Sequence, residues 1–228
     1  MKYSCVLLAG GNGKRMQNTT PKQYLLLAGK PIIMHNLERV DAVDDIDEVI
    51  IVCERGYIPY IKDLLVSYNL KNRYVFAEAG ESRQQSVYNG LKEVSNASVL
   101  IHEAARPFVT KEDFQRIIEE EEPNVSYSYP IPFTVLKGKD YVEEILNRTE
   151  LVNIQLPQKF DTALIREAHR KAAEENLHFT EDAGLLKQMC PDARIRLIKG
   201  SANNIKITEP IDLLVGEIIY REYVAGRK

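Results

Sequence analysis

Cysteine is scarce in this chain: only Cys5, Cys53 and Cys190 occur, far apart and without metal-ligand spacing. That pattern excludes a disulfide framework and a cysteine-based zinc site, and the three read as free thiols in a reducing cytosol. Positive charge is not in excess either. With a formal net charge of −3 the chain has no general field for collecting phosphate backbones, so no nucleic-acid partner is expected. Any anionic ligand must be held by a local basic cluster. No apolar run approaches the ~20 residues of a membrane span, so no membrane partner is expected. The apolar stretch at 5–9 is too short for a secretory h-region and ends at once in Gly10-Gly11-Asn12-Gly13-Lys14-Arg15, with no small-residue cleavage site following. A soluble, cytoplasmic protein is expected. Internal repeats and low-complexity tails are lacking, and the four histidines show no catalytic Ser-His pair; His102, His169 and His178 read as structural or surface residues.

What is present is an ordinary globular composition, 44% hydrophobic and 28% charged, in a chain long enough to bury a core without staples. Short apolar runs alternate with amphipathic ones. Strands are predicted at 3–9, 48–52, 73–77 and 97–102, with helices at 32–43, 58–68, 82–94 and 111–122 between and after them. Pro59 fits a first helical turn. This alternation implies a mostly parallel sheet with helices on both faces, whose ligands bind at the carboxyl ends of the strands. The rhythm changes after residue 125. Residues 126–147 carry Pro130, Pro132 and Gly138 and read as an extended arm or hairpin. Helices around 162–176 and 181–189, strands near 195–198 and 205–208, and a final helix from Pro210 complete the chain. The acidic run 119–122 reads as a solvated helix end.

The strongest local signal is Leu8-Ala9-Gly10-Gly11-Asn12-Gly13-Lys14-Arg15-Met16, followed by Pro21-Lys22-Gln23. A strand opening into glycines lets backbone N–H groups approach a phosphate, and Lys14, Arg15 and Lys22 neutralise it. It is neither a Walker A loop, which needs Gly at Leu8 and Ser or Thr at Arg15, nor a dinucleotide fingerprint, which needs Gly at Met16.

This loop, with Lys22 in Pro21-Lys22-Gln23-Tyr24, resembles the signature of the family of 2-C-methyl-D-erythritol 4-phosphate and ribitol-5-phosphate cytidylyltransferases. The likeness continues at Gly80-Glu81-Ser82-Arg83 with Ser86 and at His102-Glu103-Ala104-Ala105-Arg106-Pro107. It returns at Pro157-Gln158, at Thr180-Glu181-Asp182-Ala183 and at Asn204-Ile205-Lys206-Ile207-Thr208. The markers run in family order over nearly the whole chain. The resemblance implies an α/β fold with a Rossmann-like, mostly parallel sheet flanked by helices, as one nucleotidyltransferase domain over 1–228. A projecting β-arm at about 132–150 would serve dimerisation. It implies transfer of CMP from CTP to a small polyol phosphate with release of pyrophosphate, in a homodimer using Mg²⁺.

The resemblance also assigns roles. Ala9, Gly10, Gly11, Gly13, Lys14 and Arg15 would wrap the CTP triphosphate, with Arg15, Lys22, Arg148 and Lys206 as catalytic cations. Gly80, Glu81, Ser86 and Ala104 would hold the nucleotide. Glu103, Arg106, Thr134, Arg148 and Lys206 would bind the acceptor, Thr134 and Arg148 reaching the neighbouring subunit's site. Hard Mg²⁺ prefers oxygen ligands, which makes Glu103, with Asn204, the metal candidates. The physics agrees: two anions must meet, so catalysis is positioning plus charge neutralisation, and the ionised phosphate needs no general base.

Three departures bear on the acceptor. Glu103 stands where the family has Asp, Leu156 replaces the Thr of "TPQ", and Ile131-Pro132-Phe133-Thr134 keeps only the Thr of the arm's "RDT" pattern. Methylerythritol phosphate, ribitol phosphate and glycerol phosphate therefore remain open as acceptors. The first is favoured by Ala104-Ala105-Arg106-Pro107, where ribitol enzymes tend toward "SVRP". Two other readings are a CTP-sensing pseudoenzyme and a sugar-1-phosphate nucleotidyltransferase using UTP or GTP. Retention of the cationic set argues against the first, and "PKQY" and "NIKIT" argue against the second.

Overall fold

The computed structural model describes residues 1–11, 16 and 20–224. Its first half runs β1 (Tyr3–Leu8), β2 (Leu26–Leu27), β3 (Lys30–Pro31), α1 (Ile32–Asp41), β4 (Ile46–Cys53), α2 (Ile58–Ser67), β5 (Arg73–Glu78), α3 (Arg83–Glu93), β6 (Ser98–Glu103) and α4 (Lys111–Glu119). The second half adds β7 (Val125–Pro130), β8 (Val135–Gly138), β9 (Val142–Leu146), β10 (Val152–Asp161), α5 (Thr162–Glu174), α6 (Asp182–Met189), β11 (Arg196–Lys199) and α7 (Pro210–Ile219).

Seven of the strands form one sheet in the order β11-β7-β10-β6-β1-β4-β5. All neighbours in it are parallel except β10, which runs antiparallel to both β6 and β7. The expected mostly parallel sheet flanked by helices is therefore present. The inner stretches 5–8 of β1, 49–53 of β4 and 99–101 of β6 are continuously apolar because both faces of the sheet are covered there. Along β1, Cys5 and Leu7 face a core shared with α1 and α4, while Val6 faces one shared with α3, α5 and α6. The second contact is close. A methyl added at Gly90 of α3 would lie 2.7 Å from Val6 Cγ1 and 2.8 Å from Val52 Cγ2. Local capping agrees with the tertiary placement: Ser82 caps α3 through the Gln85 N–H, and Thr110 with Asp113 forms a capping box on α4.

Two parts of the second half differ from expectation. The segment after residue 125 is not all arm, since β7 and β10 lie in the main sheet and only the β8–β9 hairpin stands apart. The strand expected at 205–208 is absent. Ile207 donates its N–H to the Ala105 carbonyl, and its side chain enters a small core with Leu27, Ile32, Phe108 and Ile219. Its alternating isoleucines thus serve packing under α7 rather than a ladder. Among the described residues no helix is long and apolar enough to cross a membrane. Cys5 and Cys53 are free and buried, and Cys190 is free and half-buried.

Candidate active site

The carboxyl ends of β1, β5 and β6 open onto one pocket of about 240 Å³. Leu8 and Glu103 are register partners at the ends of β1 and β6, so the glycine loop leaves the sheet beside the Glu103 carboxylate. Gly10, Gly11, Lys22, Gly80, Glu81, Ser86, Glu103 and Lys206 all line the pocket, bringing together residues up to 196 positions apart. Gly13, Lys14 and Arg15 lie outside the described residues.

The turn around Lys22 is fastened to the strand it faces: Gln23 Nε2 donates to the Ala9 carbonyl at 2.5 Å. Ala9 itself is buried and donates its N–H to Val52 O. On the opposite wall, Gly80 N–H donates to Ser86 Oγ at 3.0 Å, and Ser86 Oγ donates to Ser82 O at 2.9 Å. Glu81 N–H donates to Gln85 Oε1. The first turn of α3 is thereby folded back on the 80–81 backbone. A side chain on Gly80 would collide with Gln85, so glycine is needed for that closure.

Glu103 dominates the electrostatics. Its Oε1 accepts from Arg83 Nε at 2.7 Å, and its Oε2 lies 2.5 Å from Lys206 Nζ. Burial alone raises its carboxyl pKa, but Arg83 and Lys206 together outweigh burial and hold it at about 2. Arg83 continues the chain of charges, donating from Nη2 to Asp182 Oδ2 at 2.8 Å. Asp182 Oδ1 is 3.2 Å from His169 Nε2. Burial raises the Asp182 carboxyl too, and again its partners, chiefly Arg83, hold it at about 2. Arg83 is raised above its ordinary value by the two carboxylates despite its own desolvation.

Several residues expected at the site are placed elsewhere. Ala104 is buried behind it, its N–H on Leu8 O and its carbonyl on Asn36, while Ala105 lines the pocket instead. Arg106 does not line the pocket and donates from Nη1 to Asn204 O at 2.9 Å. Thr134 and Arg148 are exposed on the arm, Arg148 donating to Pro132 O. Asn204 spends its Nδ2 on Leu156 O at 2.7 Å. Leu156 is itself buried and does not line the pocket.

The donor set does not fit the expected metal pair. Both Glu103 oxygens already face cations, and an added divalent ion there would meet Arg83 and Lys206 at close range. Asn204 gives its Nδ2 to Leu156 O of β10, while its Oδ1 is buried without a hydrogen-bond partner. Among the described residues no group of three or more His, Cys, Asp or Glu side chains is placed to hold a metal. His102 behaves as expected of a structural residue: buried, with Nε2 2.9 Å from Asn36 Oδ1, and pushed down to about 3 chiefly by burial. The residues that sequence reasoning left without roles are Arg83, Asp182 and His169. Arg83 and Asp182 stood inside quoted markers, yet only the fold joins positions 83 and 182.

A family profile, IspD: 2-C-methyl-D-erythritol 4-phosphate cytidylyltransferase, matches residues 4–222. A protein of that name from Halalkalibacterium halodurans is 36% identical over 226 residues, covering 97% of this chain and 98% of its own. The crystal structure of 4-diphosphocytidyl-2C-methyl-D-erythritol synthase from Anaerococcus prevotii superposes with a TM-score of 0.86 at 28% identity, covering 96% of each chain. The 2-C-methyl-D-erythritol 4-phosphate cytidylyltransferase of Thermus thermophilus gives 0.78 at 29% identity, covering 97% of this chain and all of that one.

Proposed function

This chain belongs to the 2-C-methyl-D-erythritol 4-phosphate cytidylyltransferase family, and from that premise we propose how its own residues carry a cytidylyl group from CTP to methylerythritol phosphate. An oxygen of the acceptor's phosphomonoester attacks the α-phosphorus of CTP. A new P–O–P bond forms, the bond between the α-phosphorus and the bridging oxygen breaks, and pyrophosphate leaves with that oxygen and its electron pair. The attacking oxygen is already ionised, so no side chain has to remove a proton.

The obstacle is repulsion between two anions, and preorganised cations at the reacting centre lower it. Lys22 and Lys206 face the pocket from opposite ends of the sequence. Gly10 and Gly11 allow the triphosphate to approach the strand end, and the 80–86 turn is positioned to hold the base and ribose. The observation that carries this reading is the convergence of these separate segments on one pocket. Lys14 and Arg15 belong to the same proposal by their place in the glycine loop.

Magnesium carried with CTP would take its oxygens from phosphates and water, since hard Mg²⁺ does not require an all-protein cage. We assign it no protein ligand. The β8–β9 arm exposes Phe133, Leu136, Tyr141, Val142 and Ile145, a set that suits burial against a second copy of this chain. In such a homodimer Thr134 and Arg148 of one copy would complete the acceptor site of the other. Free thiols at Cys5, Cys53 and Cys190 suit a reducing cytoplasm.

The test is pyrophosphate release from CTP and Mg²⁺ with methylerythritol 4-phosphate, ribitol 5-phosphate and each glycerol phosphate as separate acceptors. Release with the first alone is expected. Release only with ribitol or glycerol phosphate would overturn the acceptor, and CTP binding without release from any of them would favour a nucleotide sensor.

A further inference from the structure

Lys206 sits on a segment without regular secondary structure, and its ammonium ends a flexible four-carbon stem. Left alone it would sample several rotamers across the pocket mouth. Instead it is held at Glu103 Oε2, and the same carboxylate is held from its other side by Arg83 Nε. Arg83 is in turn held at Nη2 by Asp182, the first residue of α6, whose second oxygen meets His169 of α5. Glutamate at position 103 brings the carboxylate within reach of both cations.

We propose that Asp182, with His169 behind it, is a positioning residue for the transfer reaction, acting through Arg83 and Glu103 to fix the Lys206 ammonium. The inference rests on Lys206 serving the reacting phosphates, as argued above. Asp182 suits the role because it does not line the pocket. Its side chain is 1% exposed, so it reaches bound substrate only through its partners. Arg83 suits it because a planar guanidinium offers donors along two fixed directions, and here Nε and Nη2 take separate carboxylates. A lysine has one ammonium and could not span both in that geometry. The charges alternate from Lys206 to Asp182, so Glu103, Arg83 and Asp182 each have a partner on either side.

A buried ion pair between two helices and a sheet could instead serve stability alone, and the experiment separates the two. Single-turnover rates are measured with enzyme in excess, so that slow variants still give rates, at a temperature below every variant's unfolding. Asp182→Asn is expected to lower the rate about tenfold while leaving the Kd for CTP within about twofold. In the Lys206→Ala background the same substitution is expected to cost less than about twofold, because the group it positions is gone. Equal losses in both backgrounds, or a loss explained by weaker CTP binding, overturn the relay. Full turnover by Lys206→Ala alone overturns the role of Lys206, and the relay with it. Should Asp182→Asn fail to fold, His169→Leu removes one hydrogen bond from Asp182 without removing a carboxylate. It is expected to give a smaller loss with the same dependence on Lys206, and an additive loss refutes the proposal.

Discussion

Gly10 is the position where a single methyl should cost the most activity for the least chemistry. It follows β1, where the chain passes between β4 and the residue after β5. A Cβ there would overlap the Ala79 Cβ, with Ala79 Cα at 3.5 Å and Val52 O at 3.7 Å. The Ala79 methyl is one bond from the backbone and cannot swing aside, so the main chain itself must give. Relief requires the end of β1 and the 79–80 segment to part by roughly 1 Å, a misplacement that can lower turnover about 100-fold, or about 2.7 kcal/mol of barrier. Stability should fall by about 1–3 kcal/mol, the usual cost of overpacking. The assay is kcat/KM for Gly10→Ala beside a urea unfolding curve, with Gly11→Ala as the control. A Cβ at Gly11 meets nothing within 4 Å, so the control should unfold like the parent and lose affinity only if the triphosphate lies against that backbone. If Gly10→Ala keeps kcat/KM within about threefold, the two walls need not approach so closely, and the reasoning fails.

Acid should weaken the fold through the relay. Folding lowers Glu103 and Asp182 from ordinary values of 4.5 and 3.8 to about 2, so their ion pairs contribute fully above those ordinary values and fade as pH falls through the folded ones. Urea unfolding between pH 5 and 2 should show the decline, and a Glu103→Gln/Asp182→Asn double variant should decline less; parallel curves would contradict the assignment. The arm should govern assembly. Sedimentation at micromolar concentration is expected to show a dimer, and Ile145→Glu on the exposed arm is expected to give monomers with impaired transfer. A fully active wild-type monomer would remove Thr134 and Arg148 from the site.

The first half of the chain was legible because its inner strands β1, β4 and β6 are buried on both faces. Residues 49–53 and 99–101 are apolar runs, and the helices between them carry one-sided stripes. β10 gave no such signal, since Gln155, Gln158 and Lys159 are polar yet buried on specific partners. Gln158 donates to Ser126 and Glu181, and Lys159 to the Ile118 carbonyl. Hydropathy cannot register a strand whose burial depends on bonds to residues 23 or more positions away. The same limit hid the relay. Positions 83 and 182 each looked like local motif residues, Arg83 beside the α3 cap and Asp182 beside the α6 cap. Lys22, Glu103 and Lys206 line the pocket, and their motifs resembled a known set, whereas the ion pair between Glu103 and Lys206 followed only from the geometry.

β1 precedes β4 and β6 in the chain but lies between them in the sheet. During synthesis the segment proposed to hold the triphosphate therefore emerges early and waits. Its strand has no partner on one side until residue 53 is made and none on the other until residue 103. Until then both edges of an apolar strand are open to wrong pairing, the hazard of non-local parallel sheets. The pocket closes later still, when residue 206 arrives from beyond β11. A nascent chain thus carries its glycine loop through most of translation before any nucleotide could be held there.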